Sequence, residues 1–334
     1  MTRSHAGSAA ASVPGTGRKV VTLDPIDHEL VRLLQIDGRA TFQELSESVG
    51  LSGESTRLRV ARLERTGVVR IVASVAPQLL GYSSSAMVGV NVGAAARSVA
   101  QRLAQLPSTS FVVCTGGKFD LLAEIDCRDD AELLDVLDEV REIPGVVRCE
   151  SFMYLSVAKY AYRQSVFLAG SDVKAGTDGG AAAAPVVLDE VDHSLIEALR
   201  EDGRASYSAL AKKAGVPYSS TRRKVLQLVE SGVLHINTLL GDAAPYRYVQ
   251  ASIGIRTTGR PGRVAVELQQ HPEVGMILLT AGSHDLIIEV TCEDKQALLA
   301  FVEDTLGSTE GVVSSESYVY LDIEKLPFSW GAMH

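Results

Sequence analysis

Residues 51–70, LSGESTRLRVARLERTGVVR, and residues 216–235, VPYSSTRRKVLQLVESGVLH, are the two stretches that decide the fold. Each opens with a helix start signal, which is Ser52 in the first stretch and the Tyr218-Ser219 pair in the second. Hydroxyl and basic residues then share one side of each predicted helix, aliphatic residues share the other, and each stretch ends near a glycine. This pattern predicts two amphipathic helices, each with a polar, basic face turned outward.

Both stretches belong to an internal repeat that runs through most of the chain. A shift of 165 residues places residues 23–70 on residues 188–235 without a gap, and nineteen of the 48 aligned positions are identical. The same shift places Asp120 on Asp285 and Cys127 on Cys292. The sequence is therefore a tandem duplication of a unit of about 150 residues, a common size for one or two small domains.

Each unit begins with a pattern of three helices. Residues 25–36 have helical periodicity, Thr41 and Glu44 have the spacing of a capping box, and Gly50 has the place of a left-handed C-cap before Ser52 starts the third helix. A β-branched stretch follows, at residues 68–75 in one unit and residues 233–240 in the other. The predicted helix-turn-helix domains, each with its outgoing strand, are residues 21–75 and residues 188–240.

The second part of each unit alternates strands and helices in the order β-α-β-β-α-β of the ferredoxin-like motif. The predicted elements are strand 86–92, helix 94–106, strands 110–115 and 119–127, helix 130–142 and strand 146–157, and then strand 249–256, helix 262–270, strands 274–280 and 285–292, helix 295–307 and strand 312–323. The fold class is α+β, with ferredoxin-like domains at residues 76–164 and residues 241–328. Helices on one face of such a sheet leave its other face to be buried on a partner.

Composition indicates a reduced globular protein. The chain has 334 residues, of which 46% are hydrophobic, and no apolar run approaches the ~20 residues that span a bilayer. Residues 1–20 lack the apolar segment of a signal peptide and are predicted to be a disordered tail, and the Gly/Ala/Ser-rich residues 165–187 are predicted to be a flexible linker. The four cysteines have no metal-binding spacing. We therefore expect a cytoplasmic protein with no association with membranes.

Charge is distributed unevenly along the chain. The formal net charge of -9 argues mildly against nucleic-acid binding, because phosphate contact requires a basic surface. Residues 51–70, however, contain five arginines against two glutamates, a local charge of 5 − 2 = +3. An acidic body with basic helices is compatible with a binder that is specific for its DNA site.

Three helices, a connecting strand and then β-α-β-β-α-β resemble the Lrp/AsnC (leucine-responsive, feast/famine) family of regulators. The matching stretches are LDPIDHELVRLLQIDGRATFQELSESVGLSGESTRLRVARLERTGVV, its copy LDEVDHSLIEALREDGRASYSALAKKAGVPYSSTRRKVLQLVESGVL, and the loops TGGKFDL and TAGSHDL. The resemblance implies a helix-turn-helix that binds double-stranded DNA and an amino-acid-responsive domain that dimerises and often builds octamers. Family members usually have one unit per chain, so this chain is expected to supply by itself what is elsewhere a dimer.

The third helices are the predicted DNA-reading elements, because the first half of such a helix reaches base edges in the major groove. Arginine suits guanine, and hydroxyl groups suit phosphate oxygens. The structural alternative is a solvated basic face. The predicted DNA-binding residues are Ser52, Ser55, Thr56, Arg57, Arg59, Arg62, Ser219, Ser220, Thr221, Arg222, Arg223 and Lys224. The helices differ at Leu58/Arg223 and Arg59/Lys224, so we expect an operator that is an imperfect palindrome.

The loops between the middle strands are the predicted effector sites. Backbone N–H groups of the loops would meet the carboxylate of an amino acid or a similar small molecule, and an aspartate would meet its ammonium group. The alternative, of about equal weight, is that glycine and aspartate serve the tight turns alone. The predicted effector-binding residues are Gly116, Gly117, Asp120, Gly282, Ser283, His284 and Asp285.

No catalytic or metal motif is present in the sequence, and we expect no cofactor and no enzymatic activity. Cys127 and Cys292 are expected to be core residues, and His284 has no visible ligand partner. Sirohaem decarboxylases resemble the same family in fold, but the loop segments here lack the cluster of histidines and arginines that this resemblance implies. A sensor that has lost DNA binding is a third possibility. The expected partners are DNA, an effector and further copies of the chain.

Overall fold

The computed structural model describes residues 21–75, 77–93, 95–160, 188–241, 243–246 and 248–326. The predicted tail (residues 1–20) and linker (residues 165–187) lie outside the described residues. The first repeat contains α1 (Pro25–Ile36), α2 (Phe42–Val49), α3 (Gly53–Arg65), β1 (Val69–Ser74), a 3-10 turn (Pro77–Leu80), β2 (Ser84–Val92), α4 (Ala96–Gln105), β3 (Thr109–Gly116), β4 (Leu121–Cys127), α5 (Asp130–Glu142) and β5 (Val146–Tyr160).

The second repeat has the same succession of α-helices and β-strands. It contains α6 (Glu190–Glu201), α7 (Tyr207–Ala214), α8 (Tyr218–Glu230), β6 (His235–Leu240), β7 (Val249–Thr257), α9 (Pro261–Leu268), β8 (Val274–Ala281), β9 (Leu286–Cys292), α10 (Lys295–Ala300), which continues as a π-helical turn (Phe301–Leu306), and β10 (Val312–Lys325). The predicted α+β class and the order of the elements are confirmed.

The helix boundaries of the first unit follow from local hydrogen bonds. Thr41 and Glu44 form the predicted capping box, since the Thr41 N–H donates to Glu44 Oε2 at 2.7 Å and Thr41 Oγ1 accepts from the Glu44 N–H at 3.2 Å. Gly50 ends α2 in the left-handed conformation, with φ of 69°. Ser52 Oγ accepts from the Ser55 N–H at 3.2 Å and so starts α3. These caps set the direction in which α3 leaves the turn.

The two three-helix units partly exchange the strands that follow them, since Ile71 of β1 packs in the core of its own unit and the end of β1 packs in the core of the other. Strands β1 and β6 pair antiparallel, with Ile71 opposite Thr238. The core of the first unit includes Leu240 from the second repeat, and the core of the second unit includes Ala73 and Val75 from the first. Each helix-turn-helix is therefore completed by a strand from the other repeat, an exchange that the sequence pattern did not predict.

The eight remaining strands close into one barrel in the order β10-β3-β4-β2-β5-β8-β9-β7. Within each repeat the four strands keep the ferredoxin-like order, and the repeats join where β5 pairs with β8 and β10 pairs with β3. Helices pack on the outside of the barrel over two aliphatic clusters, and a third cluster fills its interior. The partner for the open sheet face, expected from the sequence, is thus the other repeat of the same chain.

Two lysines at equivalent positions fasten each half of the barrel to the other. Lys159 Nζ donates to the Gln269 carbonyl at 2.9 Å, beyond the end of α9, and Lys325 Nζ donates to the Ala104 carbonyl at 2.9 Å, at the end of α4. A cation at the C-terminus of a helix satisfies carbonyl groups that lack a helical partner. These contacts fix the two helices relative to the long strands of the opposite repeat.

Candidate functional site

Helices α3 and α8 each turn one polar face outward and one face into the core. Val60 and Leu63 of α3, and Val225 and Leu228 of α8, are buried in the cores of their units. The residues exposed on the first two turns include Ser55, Arg57 and Leu58 on α3, and Ser219, Arg222 and Arg223 on α8. Arginine and hydroxyl groups at these places can reach phosphate oxygens and base edges.

Two predicted DNA contacts are wrong. Thr56 and Thr221 are both fully buried, with a relative exposure of 0%. Thr221 Oγ1 donates to the Pro217 carbonyl at 3.1 Å, inside its own helix start. One turn of a helix carries residues both toward and away from the core, and these threonines lie on the inward side.

Three further predicted contacts serve mainly to hold the helices. Arg59 Nη1 donates to Asp24 Oδ2 at 2.6 Å and to Asp27 Oδ1 at 2.9 Å, and Arg62 also pairs with Asp27. In the second repeat, Lys224 Nζ makes the equivalent pair of contacts, to Asp189 and Asp192 at 2.7 and 2.8 Å. The side-chain hydrogen bonds from Lys224 lower the pKa of Asp189 to about 2.

These ion pairs tie each reading helix to the start of the first helix of its unit. Asp24 and Asp189 are also the N-cap residues of α1 and α6. The repeated spacing of a cation 35 residues after an aspartate, at Asp24/Arg59 and Asp189/Lys224, was a signal in the sequence that could have revealed this structural role.

The remaining predicted residues differ in how freely they face outward. Ser52 Oγ is engaged in the helix cap and donates to Ser55 Oγ at 2.9 Å. Arg57 lies alongside Glu54, and Ser220 is half-buried. Ser219, Arg222 and Arg223 are exposed, and no hydrogen bond or ion pair of their side chains is found within the described ranges.

Two arginines that were not predicted hold the reading units together. Arg39 donates to the carbonyls of Gly203 and Ala205, at 2.7 and 3.2 Å, and its guanidinium lies 4.8 Å from the centre of the Tyr207 ring. Arg204 makes the reciprocal contacts with the carbonyls of Gly38 and Ala40, at 2.8 and 2.9 Å, and lies over the Phe42 ring at 4.7 Å. We call this pair the arginine clasp. The repeated sequence Asp-Gly-Arg-Ala was visible, but its partner across the repeats was not.

The predicted effector loops lie on the long strands of the opposite repeat. Gly117 has φ of +148°, and a Cβ there would stand 2.8 Å from the Ser317 carbonyl of β10. In the second repeat, a Cβ on Gly282 would stand 3.0 Å from the Phe152 ring of β5. The two loops therefore form part of the seam between the repeats, and a side chain at Gly117 would disturb that seam.

The loop aspartates have a structural role in the barrel. Asp120 Oδ2 accepts from the Val92 N–H at 2.9 Å, and Asp285 Oδ2 accepts from the Thr257 N–H at 2.7 Å. Each carboxylate thus ends the first strand of its sheet, which agrees with the turn-chemistry alternative. Contact of the same carboxylates with the ammonium group of an effector stays a prediction.

The side chain of His284 points into the barrel and away from the loop surface. It is buried, with its Nε2 hydrogen bonded to the Tyr318 hydroxyl at 2.8 Å, and its ring stacks on Phe152 at 5.3 Å. Burial lowers the pKa of His284. His284 was predicted as an effector-binding residue, but its buried side chain is held by Tyr318 inside the barrel. Phe119, its counterpart in the first repeat, is also buried and lies 5.4 Å from Tyr318.

Two buried glutamates were missed because a single carboxylate in a strand pattern gives no sign of its depth. Glu124 Oε1 accepts from the Tyr154 hydroxyl at 3.0 Å, and Glu289 Oε2 accepts from the Tyr320 hydroxyl at 3.0 Å. Burial raises the pKa of Glu124 to about 8, with a further contribution from the nearby Asp126, and burial raises the pKa of Glu289 to about 7.

The described residues contain neither a metal-binding cluster nor a helix that could span a membrane. Within the described ranges, no group of three or more His, Cys, Asp or Glu residues could hold a metal ion. Cys127 and Cys292 are buried as expected, and burial raises the pKa of each thiol to about 11. In the described part of the chain, every helix is too short or too polar to traverse a lipid bilayer.

Sequence comparisons match three domain families along the chain. An AsnC-type helix-turn-helix domain matches residues 23–64 and 188–228. A PF0864 C-terminal dimeric alpha+beta barrel domain matches residues 84–167, and the Lrp/AsnC ligand binding domain matches residues 250–327.

Curated relatives correspond to about one repeat. An uncharacterised HTH-type transcriptional regulator of Pyrococcus horikoshii, PH0140, is 32% identical over 148 residues, which cover 44% of this chain and 91% of the relative. The HTH-type transcriptional regulator FL11 of the same organism is 35% identical over 141 residues, which cover 42% of this chain and 93% of FL11.

Solved structures that match both repeats at once include a siroheme decarboxylase. The crystal structure of the siroheme decarboxylase NirDL covers 90% of this chain and 92% of its own, with a TM-score of 0.56 and 15% sequence identity. At that identity the likeness concerns the fold alone.

Proposed function

We propose that one polypeptide acts as a complete DNA-binding unit with two reading helices, because this chain belongs to the Lrp/AsnC family of regulators. The family relation makes the protein a transcription regulator that binds DNA and responds to a small molecule. The observation that carries the proposal is that the units of α3 and α8 form one body. The paired strands β1 and β6 and the arginine clasp hold these two units together.

The experiment is a fluorescence-anisotropy titration of the protein against DNA from its own promoter at several salt concentrations. We expect a triple variant, R57A/R222A/R223A, to bind at least tenfold more weakly and with a shallower salt dependence, because three cations would leave the phosphate backbone. Arg141→Ala is the matched control, since Arg141 is half-exposed and paired with Asp138 three residues before it, as Arg57 is with Glu54. Equal binding by the triple variant and the control would show that these arginines do not contact the DNA.

We propose further that the effector is an amino acid or a similar zwitterion, bound at the loops that contain Asp120 and Asp285. Support comes from the match to a ligand-binding domain and from the place of the loops at the seam between repeats. Such a site can couple ligand binding to assembly, because its walls belong to both halves.

Calorimetry with free amino acids tests this effector proposal. Asp→Asn at each loop keeps an oxygen that accepts the backbone N–H but removes the negative charge, so we expect binding to be lost while the fold persists. Unchanged binding in both Asn variants would exclude the carboxylates from the effector site.

We infer that copies of the chain also self-associate. Several exposed apolar residues occur in repeat-related pairs, namely Leu134/Leu299, Val147/Val313 and Leu155/Leu321. Sedimentation of L155D/L321D is expected to show a smaller particle than the wild type, whereas V266D, at an exposed apolar position with no apolar counterpart, serves as the control. An unchanged particle would argue against this surface.

We propose that the chain acts in the cytoplasm as a regulator, without a cofactor and without catalysis. Incubation with sirohaem, followed by absorbance and mass measurement, is expected to leave the tetrapyrrole unchanged. Loss of carbon dioxide from it would instead favour the decarboxylase alternative.

A further inference from the structure

The outward faces of α3 and α8 are chemically different although the helices are repeats of each other. Their first six residues are GESTRL in α3 and YSSTRR in α8. Glu54 is replaced by Ser219, and Leu58 is replaced by Arg223. At the seventh position, Arg59 and Lys224 both pair with aspartates at the start of their units. Beyond the first two turns, α3 has Arg62 and Arg65 where α8 has Gln227 and Glu230.

The acidic residue on α3 neutralises its arginine. Arg57 donates to both carboxylate oxygens of Glu54, at 2.9 and 2.6 Å. Arg222, the counterpart of Arg57, has a serine in place of that glutamate, and no ion pair of Arg222 or Arg223 is found within the described ranges. The first six residues of α3 therefore carry one cation and one anion, whereas those of α8 carry two cations with no ion pair in the described ranges.

The sixth helical position differs in the chemistry that it offers to a base. Leu58 is 57% exposed, so α3 presents a bare aliphatic side chain. In the major groove, an apolar side chain suits the methyl group of thymine, whereas a guanidinium suits O6 and N7 of guanine. The same position on the two helices thus favours different bases.

The two faces cannot exchange places within one molecule. The arginine clasp and the paired strands β1 and β6 hold both helices in one body, and the two repeats are joined in one chain. A dimer of identical subunits has no such polarity, because turning it around its axis gives the same surface.

We infer that the chain binds its operator in one orientation, with α8 over a guanine-containing half-site and α3 over a thymine-containing half-site. The inference rests on the proposed DNA-binding function. In this arrangement the first six residues of α8 release more counterions than those of α3, so these two helix starts contribute unequally to the salt dependence.

The test is selection of bound duplexes from a random DNA library by the full chain and by two exchange variants. E54S/L58R gives α3 the residues of α8 at both places, and S219E/R223L gives α8 those of α3. We expect the wild type to enrich an asymmetric motif, E54S/L58R to enrich a motif with guanine in both halves, and S219E/R223L to enrich a motif with thymine in both halves.

Salt titrations on the selected sites add an independent readout. The slope of log K against log salt is expected to become steeper by up to ~2 units in E54S/L58R and shallower by up to ~2 units in S219E/R223L, at roughly 0.9 per phosphate contact. All four positions are on exposed helix surface or, at Glu54, in an exposed ion pair, so thermal unfolding curves should match the wild type.

Two results would overturn the inference while leaving the proposed function intact. One is enrichment of a symmetric motif by the wild type, and the other is retention of the wild-type motif by both exchange variants. Absence of salt-dependent DNA binding by all three proteins would instead remove the DNA-binding proposal, and the inference with it.

Discussion

Phe119 and His284 occupy equivalent positions in the two repeats, and their rings meet the aromatic residues of the opposite repeat inside the barrel. Phe119 lies 5.4 Å from Tyr318, and His284 lies 5.3 Å from Phe152. The first strand of each sheet contains a glycine that faces the ring, and a Cβ on Gly89 would stand 2.5 Å from Phe119. Both repeats therefore have a glycine that leaves room for a ring, which is a phenyl ring at Phe119 and an imidazole at His284.

Alanine at Gly89 or Gly254 tests this packing. The added methyl group would overlap the ring of Phe119 or His284, so we expect each variant to lose about 1–3 kcal/mol of unfolding free energy, typical of an overpacked core. Chemical denaturation gives this quantity. Alanine at Gly53, where a Cβ meets nothing within 4 Å, is the control and should unfold like the wild type.

Glu124 and Glu289 make the stability of the protein depend on pH in an unusual direction. Burial raises the pKa of Glu124 from 4.5 to about 8 and that of Glu289 from 4.5 to about 7. Between pH 4.5 and these raised values, the folded state binds more protons than the unfolded state. The free energy of unfolding therefore gains from these groups at low pH and loses that gain as the pH rises through the folded pKa.

The double variant E124Q/E289Q isolates this contribution. An amide keeps the oxygen that accepts from the tyrosine hydroxyl but cannot ionise. Relative to the variant, the wild type is expected to lose unfolding free energy between about pH 4.5 and about pH 8, at ~1.4 kcal/mol for each pKa unit realised. Parallel curves of stability against pH for the two proteins would contradict this assignment.

At the scale of elements, the turn between the first and second helices of each unit does more than change the chain direction. Its arginine reaches the carbonyls of the same turn in the other repeat. A guanidinium can donate along a fixed fork and lie flat on an aromatic ring at once, which an ammonium group cannot do. The clasp therefore depends on arginine itself as well as on a positive charge.

We expect R39K and R204K each to weaken the clasp although the charge is kept. Loss of the forked hydrogen bonds should cost about 1–3 kcal/mol of stability and should weaken binding to an operator with two half-sites more than binding to a single half-site. Denaturation and anisotropy measure the two effects. R102K, a conservative change at an exposed arginine of α4, is the comparison, and equal behaviour of all three would leave the clasp without a role.

At the scale of the whole molecule, the two repeats form the kind of body that two identical subunits would otherwise make. Strands β5 and β10 each pair with a strand of the opposite repeat, and β1 and β6 each contribute to the core of the other repeat's helical unit. Most of the contacts between repeats are therefore independent of the peptide connection between them.

A protease site inserted in residues 165–187 tests that independence. After cleavage we expect the halves to migrate together in native size-exclusion chromatography and to bind DNA as before, because both seams of the barrel and the exchanged strands remain. Separation under denaturing conditions confirms that the chain was cut. Separation of the halves in native buffer would show that the connection itself holds the molecule together.

The sequence by itself determined the elements and their order. Caps at Thr41 and Ser52, the left-handed glycine at Gly50 and the alternation of strands and helices act over a few residues, so their pattern can be read locally. The duplication and the two basic helices followed from comparison of the chain with itself.

Only the tertiary structure decided which residues of those elements face outward and which element meets which. Thr56 is buried, Arg59 binds an aspartate 35 residues earlier, and the side chain of His284 lies inside the barrel. All three residues nevertheless belong to correctly predicted segments. Exchange of β1 and β6 and closure of the barrel are pairings between distant parts of the chain. Such pairings depend on shape and burial in three dimensions, which local sequence patterns do not encode.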